Sequence, residues 1–509
     1  LASMQVRPVE MQLKQGQTIV RSGEQVTNKI LMQLEALRDL QKPRSLAWQF
    51  AGYFLISAIL LYSLWRYFVF YRPREQKIRN QVILFLVVIA TGLVTIRIFS
   101  ALVELFGERY AHFSDPFVLY YGIPFAFTAL LIALLIDVNL GIFSTIMLAI
   151  YVGFFYGNID IAIYCIVGCL AGIYSIRQYK DRAAVLKSGL TIGFVNILCL
   201  IAMVILRQAP MRLPDVFDLL ILALLSGIMA AALASLFLPA LESLFKITTD
   251  IRLLEMSNLN APILRRLAVE APGTYHHSLM AATLAEAAAE SIGANPLLCR
   301  VAAYYHDIGK LAKPEYFVEN QSFSGNKHED LSPSMSCLIL CSHVKDGLEL
   351  AGEAGIPQRI SDMIPQHHGT RVMAYFYQKA RDSADAARGK IIETDFRYPG
   401  PKPRSKEAAI MMMADSVEAA SRTLAENPTP TQIHGMIDRL VDSMIADDQF
   451  DSCDITLREI RLAKESFFKI ITGIFHHRIE YPGYDFKSKG NGLKTSDVND
   501  PGPEQAKAT

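Results

Sequence analysis

Seven residues in the C-terminal half carry donor atoms in an order that points to metal chemistry. His277 opens the run HSLMAATLAEAAAESIG, and His306-Asp307 closes NPLLCRVAAYYHDIGK. His343 lies in SPSMSCLILCSHVKDG, His367-His368 follow PQRISDMIPQ, and Asp415 lies in SKEAAIMMMADSVEAASRTL. Imidazole and carboxylate donors together suit Fe, Mn or Zn. A carboxylate beside a histidine can bridge two ions, and paired ions serve phosphoester hydrolysis by supplying a nucleophile at neutral pH and neutralising phosphate charge. Singly, each histidine is better read as a surface or hydrogen-bonded core residue; the ordered set carries the signal. On residue type alone His276 competes with His277. Lys310, three residues after Asp307, has two readings: a cation for the phosphate or the leaving oxygen, or a solvated lysine.

The runs that carry these residues place apolar side chains at spacings of three and four, which predicts helices. Strand signals are scarce, so 244–486 is expected to form an all-α domain. Upstream the composition changes. Of the 198 residues from Leu46 to Ser243, 23 are charged, against 76 of the other 311. An average soluble domain has roughly 25% charged residues, so a membrane block stands between flanks of ordinary composition. This excludes a wholly soluble enzyme, a disordered protein and a small disulfide scaffold. The net charge of +1 gives no reason to expect a nucleic-acid polymer as partner.

Seven stretches are long and apolar enough to cross about 30 Å of hydrocarbon: Leu46–Trp65, Asn80–Phe106, Pro116–Ile136, Val138–Gly157, Ile159–Ile176, Ser188–Leu206 and Leu219–Leu241. The only two tryptophans, Trp48 and Trp65, flank the first, as interfacial anchors do. Val138–Ile176 reads as two short spans parted at Gly157-Asn158 or as one re-entrant hairpin. Pro124 and Pro239 are expected as kinks within spans. Arg97 and Glu104, seven apart on one helix face, are expected to snorkel from the span ends. Five basic residues in the Arg66–Arg79 loop and four in Arg177–Lys187 put those loops in the cytoplasm. The N-terminus is then outside and everything after Ser243 inside. Residues 1–45 read as a remnant of an extracellular region, with a short strand at Thr18–Val20 and an amphipathic helix bearing Ile30, Leu31, Leu34 and Leu37. Residues 487–509 are expected to be disordered.

His277, His306-Asp307 and Asp415 resemble the H…HD…D signature of HD-domain phosphohydrolases, and His343 with His367-His368 resembles its two-metal branch. The words AYYHDIGK, IPQHHGT, FRYPGPKPRSKE and ADSVEAASR, placed after seven spans, resemble the seven-transmembrane HD family of cyclic di-AMP phosphodiesterases (PgpH-type) over nearly the whole chain. The resemblance implies a bacterial plasma-membrane enzyme with two divalent metal ions, iron or manganese, that opens cyclic di-AMP to pApA. It implies that His277, His306, Asp307 and Asp415 hold one ion and that Asp307, His343, His367 and His368 hold the other, with Asp307 bridging. His277 is preferred over His276 because the family's HS word matches His277-Ser278. Asp307 and Lys310 are the expected catalytic residues. A homodimer and an unidentified extracellular ligand are the further partners considered.

Candidate substrate contacts are Thr370 and Arg371, directly after the histidine pair, and Arg397, Lys402 and Arg404 in a Pro/Gly loop. For the loop, a solvated basic surface is the equal alternative. Two other readings are weighed: an HD hydrolase for another nucleotide such as cyclic di-GMP, and a nucleotide-binding receptor without turnover. The first would show GYP after its histidine pair, where this chain has Arg371-Val372. The second would have lost ligands, and all seven are present.

Overall fold

The computed structural model describes residues 18–21, 23–41, 46–71, 78–109, 116–176, 182–207, 213–321, 325–382, 391–425 and 427–476. The expected tail at 487–509 lies outside these residues, as do most of the loop residues used to orient the spans. No strand occurs among the described residues; Thr18–Val20 is irregular, and one isolated bridge joins Val372 and Arg397. The chain divides into two compact units at Ile89/Ala90.

The first unit contains α1 (Asn28–Gln41), α2 (Leu46–Tyr71) and the beginning of α3 (Ile78–Arg109). Helix α2 is apolar all round, and Trp48 and Trp65 are both exposed on it. The second unit begins with the rest of the membrane segment: α3, α4 (Ala126–Leu135), α5 (Val138–Tyr156), α6 (Ile159–Ile176), α7 (Arg182–Arg207) and α8 (Leu213–Phe245). Among the described residues, seven segments are long and apolar enough to cross a bilayer.

Their details follow from local sequence. The third span is broken rather than kinked: Pro116–Gly122 is a 3-10 segment, and α4 starts only beyond Pro124, which has no amide hydrogen to continue a helix. Asp137 caps α5 by accepting the Leu140 amide at 2.8 Å, and Gly157 ends that helix in the left-handed region. The Val138–Ile176 stretch is therefore two helices. Arg97 and Glu104, on one face of α3, lie 3.5 Å apart with both side chains exposed.

Helices α7 and α8 touch through backbone. A Cβ at Gly227 would overlap the Gly189 carbonyl and the Gly193 amide, so small residues here set the separation. Beside this contact, the Tyr164 hydroxyl donates to the Tyr121 carbonyl at 2.7 Å and meets Ser226 Oγ at 2.9 Å, while Asn196 donates to Ser226 at 3.2 Å. That network ties the 3-10 segment, α6, α7 and α8 together with every hydroxyl partnered, as hydrocarbon surroundings demand.

After α8, α9 (Asp250–Met256) and α10 (Pro262–Glu270) lead into the second domain. Its principal helices are α11 (Pro272–Ile292), α12 (Pro296–Tyr305), α13 (Pro333–Glu353), α16 (Ala374–Asp382), α17 (Lys406–Ser421), α18 (Pro430–Ala446) and α19 (Leu457–His476), with single turns α14 (Gln358–Ser361) and α15 (Met363–Gln366) between. Three of them start with the same device, a capping side chain followed by proline: Asn295-Pro296, Ser332-Pro333 and Thr429-Pro430. An alanine face on α11 (Ala281, Ala285, Ala288) lets α12, α17 and α19 approach, and Met411, Met412, Met413 and Phe467 fill the space between. A second core joins Leu253 of α9, Leu264 of α10 and Leu298, Val301 and Tyr305 of α12 with Ile360 and Ile364. Each fully buried large apolar side chain stabilises the fold by roughly 1.5–3 kcal/mol.

The substitution Gly227→Val should force α7 and α8 apart at a cost of about 1–3 kcal/mol. The expected result is a lower thermal midpoint for the purified protein in detergent, read by intrinsic fluorescence. An unchanged midpoint would show that the two backbones are free to separate.

Candidate metal centre

Five short pieces of chain converge on one buried point. His277 projects from the second turn of α11, and His306 ends α12. Asp307 and the 3-10 turn Ile308–Ala312 then lie against α13, which presents His343. The approach is close enough that a Cβ at Gly309 would strike the His343 carbonyl, which explains the glycine in HDIGK. The turn α15 delivers His367-His368, and α17 delivers Asp415.

The seven side chains form two overlapping groups, His277/His306/Asp307/Asp415 and Asp307/His343/His367/His368, each with one donor atom per residue lying within 4.8 Å of the others. Asp307 belongs to both, and its two oxygens face different halves. Oδ2 lies 3.2 Å from His306 Nε2 and 3.5 Å from His277 Nε2. Oδ1 lies 3.5 Å from His343 Nε2 and 3.7 Å from His367 Nε2. Asp415 Oδ1 faces His277 Nε2 at 3.0 Å, and its Oδ2 faces His368 Nδ1 at 3.6 Å.

The orientation of the rings is imposed from behind. Nδ1 of His306, His343 and His367 donates to the carbonyl three residues earlier: Ala303 at 2.8 Å, Leu340 at 2.5 Å and Ile364 at 2.6 Å. Each ring is thereby fixed in the tautomer that leaves Nε2 as the donor toward the centre. Those three Nε2 atoms and Asp307 Oδ1 are buried without a hydrogen-bond partner. Buried polar atoms are rarely left so, and here the orphans point at one another. The donor set, all imidazole and carboxylate, fits a pair of divalent ions.

Burial opposes charge on every group, and the neighbours decide each outcome. Burial would raise Asp307 and Asp415, but the adjoining histidines, with Lys310 beside Asp307, hold both well below the usual carboxylate range. Burial would lower His306, yet Asp307 and Asp415 bring it up to about 10, and Asp415 and Glu418 likewise raise His277. The other half behaves oppositely. Burial, reinforced by neighbouring histidines, pushes His367 down to about 3 and also lowers His343 and His368. Lys310 sits between Asp307 and Glu319, 2.7 Å from each, and these raise it despite burial.

The remaining sequence expectations separate cleanly. His276 is exposed, whereas His277 is buried in the cluster. Lys310 is an enclosed ion-pair partner rather than a solvated lysine. Arg371 is half-buried beside the cluster, with Nη1 donating to Ser416 Oγ at 2.6 Å. Thr370 is engaged by Gln449, its amide donating at 3.0 Å. Arg397 pairs with Asp447 at 2.9 Å and Glu393 at 2.6 Å, and donates to the Thr370 carbonyl. Lys402 is half-buried, Arg404 is exposed, and the Arg404 amide donates to Gln366. Two residues went unremarked in the sequence. Glu418 accepts from His277 Nδ1; its signal was an acid one helical turn after Asp415. Tyr398 stacks on His368 with ring centroids 4.2 Å apart.

These shifts predict an asymmetric proton count. At neutral pH, Mn²⁺ entering the His277/His306 half must displace protons, whereas the His343/His367/His368 half already presents neutral rings. Affinity of the first half should rise with pH, by about tenfold per unit for each proton displaced, until His306 deprotonates near 10. Calorimetry in buffers of different ionisation enthalpy would read proton release on one binding event and none on the other. Equal release on both would contradict the charge distribution.

Comparison with known proteins agrees with this architecture. The family description "7TM receptor with intracellular HD hydrolase" matches residues 47–249, the HD domain matches 274–420, and the 7TM-HD extracellular family matches 2–41. The chain is 36% identical over 481 residues to the cyclic-di-AMP phosphodiesterase PgpH of Bacillus subtilis, covering 93% of this chain and 65% of that protein. It is 35% identical to the protein of the same name from Listeria monocytogenes, covering 94% of this chain and 65% of that one. The chain thus spans a little under two thirds of the length of these relatives. The crystal structure of the L. monocytogenes PgpH HD domain in complex with cyclic-di-AMP is 47% identical and covers 43% of this chain and 99% of its own, with a TM-score of 0.41. The chain is a multi-pass membrane protein that carries a region matching the description "7TM receptor with intracellular HD hydrolase", followed by an HD domain.

Proposed function

We propose that the protein is a membrane-bound, metal-dependent phosphodiesterase that hydrolyses cyclic di-AMP to pApA. The observation that carries this reading is the convergence of seven imidazole and carboxylate side chains on Asp307, which faces both halves of the cluster. The choice of cyclic di-AMP over another phosphodiester is supported by the names of the two relatives. His277, His306, Asp307 and Asp415 would hold one ion, and Asp307, His343, His367 and His368 the other, with iron or manganese the proposed metals. When bound, such ions supply Lewis acidity toward phosphate oxygens and a nucleophile at neutral pH. In the reaction, water adds to one phosphorus while the ribose 3′ oxygen leaves and takes up a proton.

The chain's own residues do the positioning. Lys310, held by Glu319, keeps the Asp307 carboxylate aimed at both halves and offsets its charge. The Arg371 guanidinium, anchored by Ser416 and short of a full ion pair, is suited to the second phosphate of the substrate. Arg397 and Thr370, tied to Asp447 and Gln449, shape the wall behind it. On this reading the HD domain and the basic loops are cytoplasmic, the N-terminus is outside the bacterial plasma membrane, and a signal from the extracellular or membrane part regulates turnover.

Two experiments test the proposal. Purified protein incubated with Mn²⁺ or Fe²⁺ should convert cyclic di-AMP to pApA, and Asp307→Ala should lose both turnover and bound metal. Faster cleavage of cyclic di-GMP, or unchanged turnover in the variant, would overturn it. Arg371→Ala should raise KM by about tenfold or more, the loss of a charge-assisted contact of roughly 1.5–3 kcal/mol, with metal content unchanged. Wild-type KM in that variant would remove Arg371 from the substrate site.

A further inference from the structure

The two halves of the centre are supported differently. In the half made by Asp307, His343, His367 and His368, the rings of His343 and His367 are held by backbone carbonyls, and one carboxylate is present. In the half made by His277, His306, Asp307 and Asp415 there are two carboxylates, and one ring is held by a third. His277 directs Nε2 to Asp415 at 3.0 Å and gives its Nδ1 proton to Glu418 Oε2. Glu418 is itself buried, at 4% exposed. Its other oxygen, Oε1, accepts from Arg422 Nε at 2.8 Å and Nη2 at 2.6 Å. Both of these Arg422 nitrogens converge on this one oxygen, and Oε2 is the oxygen that faces His277. A carboxylate behind an imidazole fixes its orientation and makes it a stronger donor than a carbonyl does.

We infer that Glu418 is a positioning residue that makes the two metal positions unequal, so that the position built on His277 fills first and empties last. The inference rests on the metal-centre reading above. It adds that the chain distinguishes two positions sharing one ligand, and that the distinction comes from a residue touching neither ion. The position built on His343, His367 and His368 is the exchangeable one. Its ligand His368 is the only partly exposed member of the set, with 19% of its side chain accessible.

The test is a Mn²⁺ binding isotherm on the full chain in detergent, followed by electron paramagnetic resonance of free Mn²⁺, for wild type, Glu418→Gln and Arg422→Gln. Glutamine preserves shape and can still accept from Nδ1 but carries no charge. Wild type should show a tight and a weak site. Glu418→Gln should weaken the tight site by about 10- to 100-fold and leave the weak one in place, and Arg422→Gln should show a smaller loss at the same site. The thermal midpoint of the metal-free variants should match wild type. A Glu418→Gln isotherm equal to wild type, or one in which both sites weaken together as the metal-free midpoint falls, would overturn the inference. A wild-type protein that binds no Mn²⁺ or Fe²⁺ would instead remove the metal-centre reading itself.

Discussion

Burial of the Asp307 carboxylate is the constraint on which the HD domain is organised. An isolated carboxylate cannot be enclosed without compensation, and this one is almost completely enclosed. Lys310 compensates one oxygen, and four imidazoles from four pieces of chain surround the pair. To bring those pieces together, α12 must end where it does, α13 must pass within backbone contact of Gly309, and α17 must cross α11 over its alanine face. The packing of the domain can be traced back to the need to deliver nitrogen atoms to two oxygens.

The membrane segment meets a different constraint. Small residues let backbones approach, and between α6, α7 and α8 the Tyr164 and Ser226 hydroxyls and the Asn196 amide nitrogen hydrogen-bond to one another and to the Tyr121 carbonyl. The two parts are joined by chain that continues from α8 into α9, whose Leu253 enters the same core as Tyr305, while the Tyr305 hydroxyl donates to the Met256 carbonyl. His306 is the next residue. The last span and the first ligands of the centre are thus separated by two short helices packed on α12.

The seven donor side chains that the fold brings together could be picked out of the sequence by their order and the words around them, and the helical character of both parts by local periodicity and runs of apolar residues. What was not legible depends on pairing at long range. Glu418 acquires meaning only against His277, 141 positions earlier, and the Arg397 ion pair with Asp447 spans 50 positions. The third span departs from expectation for a local reason: a 3-10 segment ends before Pro124, and the α-helix starts only after it, so the proline marks a break and not a kink. Thr18–Val20 has strand-forming residues but no neighbouring strand to pair with among the described residues.

The carbonyls behind three of the histidines have a consequence for how such a centre can change over time. A main-chain carbonyl survives almost any substitution at its residue, so the supports of His306, His343 and His367 are insulated from mutation. The support of His277 is a side chain, and it is not. On the metal-centre reading, substitutions at positions 418 and 422 would therefore retune metal affinity while every ligand stays in place.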